Sequence, residues 1–151
     1  MSHFKATRKG IETDFSSEER MFLSDVLPLL AGVGKVGEDP AATRLNVPVY
    51  LNDSAANDEW WRLMGGDLRA GRGADRIVYA KVMDADGPTV MSSDDANAFL
   101  RVLNEARLAL GARLGVEVEA DHDQLPDESR SVLDYLGWIL EELTTALTRS
   151  L

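Results

Sequence analysis

Twice in this chain an apolar residue is followed by two serines and two acids: Phe15-Ser16-Ser17-Glu18-Glu19 and, 76 residues later, Met91-Ser92-Ser93-Asp94-Asp95. A serine hydroxyl that accepts the backbone N–H three residues on starts a helix, and an acid at that third position can return the bond. Apolar residues then follow at matching offsets, Leu23, Val26 and Leu27 in the first copy and Phe99, Val102 and Leu103 in the second. The chain is therefore expected to pass from an extended segment into a helix at both places. Convergent capping chemistry accounts for this echo. So does one small sheet in which the strand ending at Met91 joins the strands before Phe15, and the residues alone leave both accounts open.

The rest of the pattern is mainly helical. Phe4, Ala6, Ile11, Thr13 and Phe15 alternate around Arg8-Lys9-Gly10, which predicts a hairpin over 4–15. A helix over about 17–31 follows, with Pro28 opposite its apolar stripe and expected to kink the solvent side. A turn of helix after Pro40 and an extended piece at Val47-Pro48-Val49 come next. Helices are predicted over 55–64 and 67–83, separated by Gly65-Gly66, then a short strand at Thr89-Val90-Met91. Further helices over 94–114 and 127–148 flank an acidic loop, Val116 to Pro126. The last helix places Val132, Leu136, Ile139, Leu140, Leu143 and Leu147 on one face, a core pattern. The expectation is one α+β domain over 1–151, a helix bundle carrying a hairpin and a short third strand.

Composition narrows the chemistry. The 151 residues contain no cysteine, so disulfides, thiolate catalysis and thiol sensing are excluded, while five methionines remain oxidisable. The net charge of −10 is uneven: residues 1–83 hold 11 bases and 12 acids, residues 84–151 hold 5 and 14. The acidic half repels phosphate backbones, which disfavours DNA as a partner. No apolar run approaches a membrane span, and a cytoplasmic protein is expected.

Several motifs invite a functional reading. Gly32-Val33-Gly34-Lys35-Val36-Gly37 has the GxGxxG spacing, but it follows a helix instead of a strand, so no cofactor is assigned to it. Glu117, Glu119, Asp121, His122 and Asp123 could gather a cation for a metal-dependent enzyme, although their spacing matches no EF-hand loop or His-x-x-x-His helix; a solvated acidic loop is the simpler reading. His3 sits near the chain start, where a mobile segment is expected. Arg69, Arg72 and Arg76, joined by Arg62 if the helix continues, form the best docking face for a phosphate backbone or an acidic protein. Trp60 and Trp61 are adjacent, so a helix points them differently, one toward an interface or both around the core. Arg107 falls on the arc of Ala96, Leu100, Leu103, Leu110 and Leu114. The expectation is a buried strut to the Tyr135 hydroxyl, with Gly111 allowing close helix approach.

The run Asn104 to Gly115, Asn-Glu-Ala-Arg-Leu-Ala-Leu-Gly-Ala-Arg-Leu-Gly, followed by Leu133-Asp134-Tyr135-Leu136-Gly137-Trp138 and Glu141-Glu142-Leu143, resembles the C-terminal signature of the actinobacterial AosR-type regulator family. Asp39 to Leu45 and Trp61 to Arg69 resemble its middle, so the resemblance spans nearly the whole chain. It implies a non-enzymatic stress or transcription regulator that works with a sigma factor or RNA polymerase. Asn104, Arg107, Gly111, Arg113, Tyr135 and Trp138 would then be structural signature residues, and Arg62, Arg69, Arg72, Arg76, Trp60 and Trp61 partner-binding candidates. The family's redox switch is a cysteine pair, which this chain lacks, so thiol sensing does not carry over. Direct DNA binding through the basic helix face is the alternative, and a homodimer is compatible with either.

Overall fold

A computed structural model describes residues 3–46 and 53–150, and within them not the side chains of Asp67 and Arg69. The expected extended piece at 47–49 lies outside the described residues.

Strand β1 (Phe4–Thr7) turns into β2 (Gly10–Thr13), and β2 pairs on its other side with β3 (Thr89–Met91). Both pairings are antiparallel, Phe4 facing Thr13 and Ile11 facing Met91. The third strand does join the hairpin, as the more specific account of the echo requires. Gly10 takes φ +140, and a Cβ there would collide with the Met91 carbonyl oxygen, so both the turn and the third strand demand glycine. The sheet delivers the chain into two helices through near-identical caps. Ser16 (φ −64, ψ 163) opens α1 (Ser17–Ser24) and Ser92 (φ −63, ψ 166) opens α5 (Ser93–Arg113), each hydroxyl accepting an N–H at 3.1 Å.

The first helix does not run unbroken to 31. It stops at Ser24, and α2 (Val26–Ala31) begins after Asp25. Pro28 has no N–H for the Ser24 carbonyl, and its ring crowds that carbonyl. The break therefore falls one turn before the proline, which is itself exposed. A short α3 (Pro40–Leu45) follows, capped by Asp39.

The expected interruption at Gly65-Gly66 is absent: α4 runs continuously over Ser54–Met83. Each glycine costs only about 1 kcal/mol against alanine. No proline removes a hydrogen bond there, so the helix pays this toll and continues. The acidic loop is also shorter than expected, because Glu119–Asp123 form α6, where Asp121 Oδ2 accepts the Glu117 and Val118 N–H groups at 3.0 and 3.3 Å. Helix α7 (Asp127–Arg149) closes the bundle.

At the centre lies α5, packed by α2, α3, α4, α7 and the sheet. Its buried residues are Ala96, Ala98, Phe99, Val102, Leu103, Ala106 and Ala109; four of these seven are alanines, which let neighbouring helices come close. Phe99 stacks on Tyr79 at 4.6 Å between ring centroids and on Phe15 at 6.3 Å, joining sheet and bundle in one core. The Tyr79 hydroxyl donates to the Leu23 carbonyl at 2.6 Å, and burial pushes its pKa well up.

Candidate interaction surface on helix α4

Thirty residues of α4 make a rod of about 45 Å. Its C-terminal part is tied down: Tyr79, Val82 and Met83 enter the core, and buried Asp75 grips Arg101 with both oxygens at 2.8 and 2.9 Å. The predicted arginines do not stand together as a free basic face. Arg72 donates to the Leu45 carbonyl at 2.9 Å and lies 3.8 Å from Glu105, which also takes Arg76 at 3.4 Å. The Arg76 Nε is buried without an acceptor among the described residues. Arg62 is exposed and pairs along its own helix with Glu59 at 2.6 Å, while the Arg69 side chain is outside the described residues. Spacing placed these arginines on one side of a helix; the acidic Glu105 on the neighbouring helix, invisible to spacing, spends two of them on packing.

What α4 leaves open is apolar. Trp60 and Trp61 are half-buried and meet edge to face at 5.0 Å. Met64 is 42% exposed, Leu68 38%, Leu63 62% and Ile77 65%. Beside Trp61, Arg72 and Arg76 runs a groove of about 840 Å³ floored by Leu30, Val33 and Leu45. Two stripes can be read along the helix. Trp61, Met64, Leu68 and Gly71 line up with Asp75 in steps of three and four, whereas Leu63, Ala70 and Ile77 recur every seven residues on another side, with Gly66 and Gly73 beside them.

Arg107 is not the expected buried strut. It is exposed, and its guanidinium lies across Gly137 of α7, where a Cβ would stand 3.2 Å from Nη2. Of the expected arc, Ala96 and Leu103 are fully buried, but the buried residues as a whole centre about a quarter turn away from it, so Arg107 falls at the rim and reaches solvent along its stem. Gly111 faces open space; Gly137 is the glycine that admits a neighbour. Tyr135 donates instead to Glu19 Oε2 at 2.7 Å, while Arg113 binds Asp39 at 2.9 Å and the Gly32 carbonyl at 3.1 Å. Asn104 is exposed, and Trp138 stays 47% exposed.

The glycine-rich segment encloses a carboxylate of its own chain. Asp39 accepts the Gly34 and Ala41 N–H groups at 2.8 and 2.9 Å, and these bonds, after that from Arg113, hold its carboxyl far below the usual range.

Sequence reasoning missed one polar cluster. His3, expected on a mobile segment, contacts two carboxylates: Nε2 lies 2.7 Å from Glu19 Oε2 and Nδ1 2.8 Å from Glu142 Oε2. Its ring stacks on Phe15 at 5.4 Å and meets the Trp138 edge at 5.1 Å. Burial would raise the Glu19 pKa, but bonds from Tyr135 and Ser16 and the nearby imidazole bring it below the ordinary value. The cluster can bolt the start of β1 to α1 and α7. Its members are up to 139 positions apart, so no local spacing announces it. Elsewhere His122 faces Asp134 at 2.7 Å and Asp123 at 3.3 Å. Among the described residues no three His, Asp or Glu side chains gather as a cation site, and no helix is long and apolar enough to cross a membrane.

Set against known proteins, the chain matches the family described as "Domain of unknown function (DUF2017)" over residues 1–147 and belongs to that family. No curated protein and no solved structure matches it.

Proposed function

From membership of a family whose function is unassigned, we propose that this chain is a non-enzymatic regulator of transcription or stress response that acts by binding another protein, a sigma factor or RNA polymerase by the AosR-type resemblance. The observation that carries this reading is the outward stripe of α4, where Leu63 and Ile77 are 62% and 65% exposed on one helix. Exposed apolar side chains of this size, aligned with Ala70 and flanked by Gly66 and Gly73, suit the close approach of a partner helix. The arginines favour this over duplex DNA, since Arg62, Arg72 and Arg76 each already face an acid.

The test is direct binding of the purified protein to core RNA polymerase, holoenzyme and isolated sigma factors. Leu63→Asp and Ile77→Asp should each weaken the complex by roughly 10- to 100-fold, the loss expected for one buried apolar side chain. Their thermal midpoints should stay unchanged. Unaltered binding in both variants, or tight binding only to promoter duplex with a steep salt dependence, overturns the reading.

A further inference from the structure

The polar cluster at the start of β1 is short of one hydrogen-bond donor unless it holds a titrating proton. His3 presents each ring nitrogen to a different carboxylate, Nε2 to Glu19 at 2.7 Å and Nδ1 to Glu142 at 2.8 Å. Ionised carboxylates only accept, and a neutral imidazole has a single N–H, so one of the two contacts would set lone pair against lone pair. Glu19 has no spare proton to relieve this. Its Oε1 accepts the Ser16 N–H at 3.2 Å, its Oε2 accepts the Tyr135 hydroxyl at 2.7 Å, and its pKa lies below the ordinary value. Both contacts are satisfied when the bridge holds one further proton, on the ring or on Glu142. The side chains of His3, Glu19 and Glu142 are 13%, 26% and 18% exposed, so water replaces a missing donor poorly.

Among the described residues no other charged side chain forms an ion pair with the ring. The Asp14 carboxylate turns to Arg20 at 3.3 Å, and Lys5, Glu141 and Arg149 line the groove between β1 and α7. We propose that the start of β1 is a proton-operated clamp, closed by the one proton held between Glu19, His3 and Glu142 and opened by its loss. With that proton, α1 and α7 hold the ring between them. Without it, one carboxylate repels the ring, and β1, an edge strand paired only to β2, loses its tie to that helix. Opening also uncovers apolar surface, because the imidazole lies on Phe15 at 5.4 Å and against the Trp138 edge at 5.1 Å, and Phe15 is 6% exposed while the clamp is shut. The proton count sets the sign: the clamp is shut on the acid side of the bridge's proton loss and open on the alkaline side. Strong acid, which protonates both carboxylates, weakens it again. The clamp involves neither stripe of α4, so it stands or falls independently of the regulatory reading.

NMR of the full-length protein locates the proton directly, from the nitrogen shifts of the His3 ring and the carboxyl carbon shift of Glu142. The chain has two histidines, so His122→Asn assigns the ring signals. Amide exchange at Phe4 to Thr7, corrected for the intrinsic pH dependence of exchange, reads the clamp over the same titration. Protection of these amides should fall by roughly tenfold or more as the proton leaves, while the amides of α5 keep theirs. Glu142→Gln offers a ring nitrogen either an N–H or a carbonyl oxygen. In that variant the protection of β1 should stay level across the same pH range. Protection in the wild type that stays flat through the loss of the proton overturns the proposal, as does a proton that never leaves while the protein is folded. So does a β1 unprotected at every pH, or a Glu142→Gln variant that keeps the wild-type pH dependence.

Discussion

The Arg107 guanidinium lies flat over Gly137, at the place where a Cβ would stand 3.2 to 3.3 Å from its Nη2, Cζ and Nε. A helix that accepts glycine in mid-course makes room for a cation that reaches solvent without an acceptor among the described residues. The guanidinium is the free end of a flexible stem and can yield. Gly137→Ala should therefore stabilise the protein by about 0.5 to 1 kcal/mol, the helix-propensity gain. Arg107→Ala should cost less than about 1 kcal/mol, because no buried acceptor is left unpaired. Denaturant midpoints of the two variants check both signs.

The Asp75–Arg101 pair is asymmetric, and so should be the cost of breaking it. The Asp75 side chain is 13% exposed, whereas that of Arg101 is 58% exposed. Arg101→Ala leaves a carboxylate buried without its partner and should cost about 1 to 3 kcal/mol. Asp75→Ala frees an arginine that water can solvate and should cost less. Adding Arg101→Ala to Asp75→Ala should change little, which a double-mutant cycle measures.

Thr13 Oγ1 is buried with no hydrogen-bond partner among the described residues, on a strand residue 1% exposed. Valine keeps the shape and removes the unpaired hydroxyl. Thr13→Val should raise stability by about 1 kcal/mol, and a lowered thermal midpoint would show that the hydroxyl is satisfied in solution.

His3 gives the chain start a structural task, tying β1 to Glu19 and Glu142. His3→Ala should cost about 1 to 3 kcal/mol and expose the amides of β1 to faster hydrogen exchange. Unchanged protection of Phe4 to Thr7 would return this segment to the mobile terminus that sequence alone suggests.

His122 carries a pH dependence of known sign. Hydrogen bonds to Asp134 and then Asp123 raise its pKa above the ordinary 6.5. The stabilisation is fully present below the unfolded-state pKa and is lost as pH rises through the folded-state value. Asp134→Asn should lower the His122 midpoint in an NMR titration. The difference in melting temperature between wild type and variant should be largest in mildly acidic solution, where the imidazole is charged and carboxylates are still ionised, and vanish at alkaline pH.

Features that depend only on neighbours along the chain were readable before any tertiary contact. Both serine caps, the hairpin with its glycine, and the apolar face of α7 were legible because a cap, a turn and a helical stripe are set within a few residues. The third strand was legible only as one of two accounts, since pairing is a distant event that a short extended segment permits without requiring.

Tertiary structure decided the rest, and for a consistent reason. Glu105 engages Arg72 and Arg76 from another helix, Gly137 lets Arg107 out across a different one, and Glu142 meets His3 from the opposite end of the chain. Each is a choice of partner for a charged group, made where several elements converge, and periodicity fixes only the side of an element on which that group sits. Helix α4 shows the same division. Its glycines suggested a break, yet propensity is a small local cost, and which of its stripes meets α5 and which stays open follows from the ends at which β3 and α5 return the chain to the core.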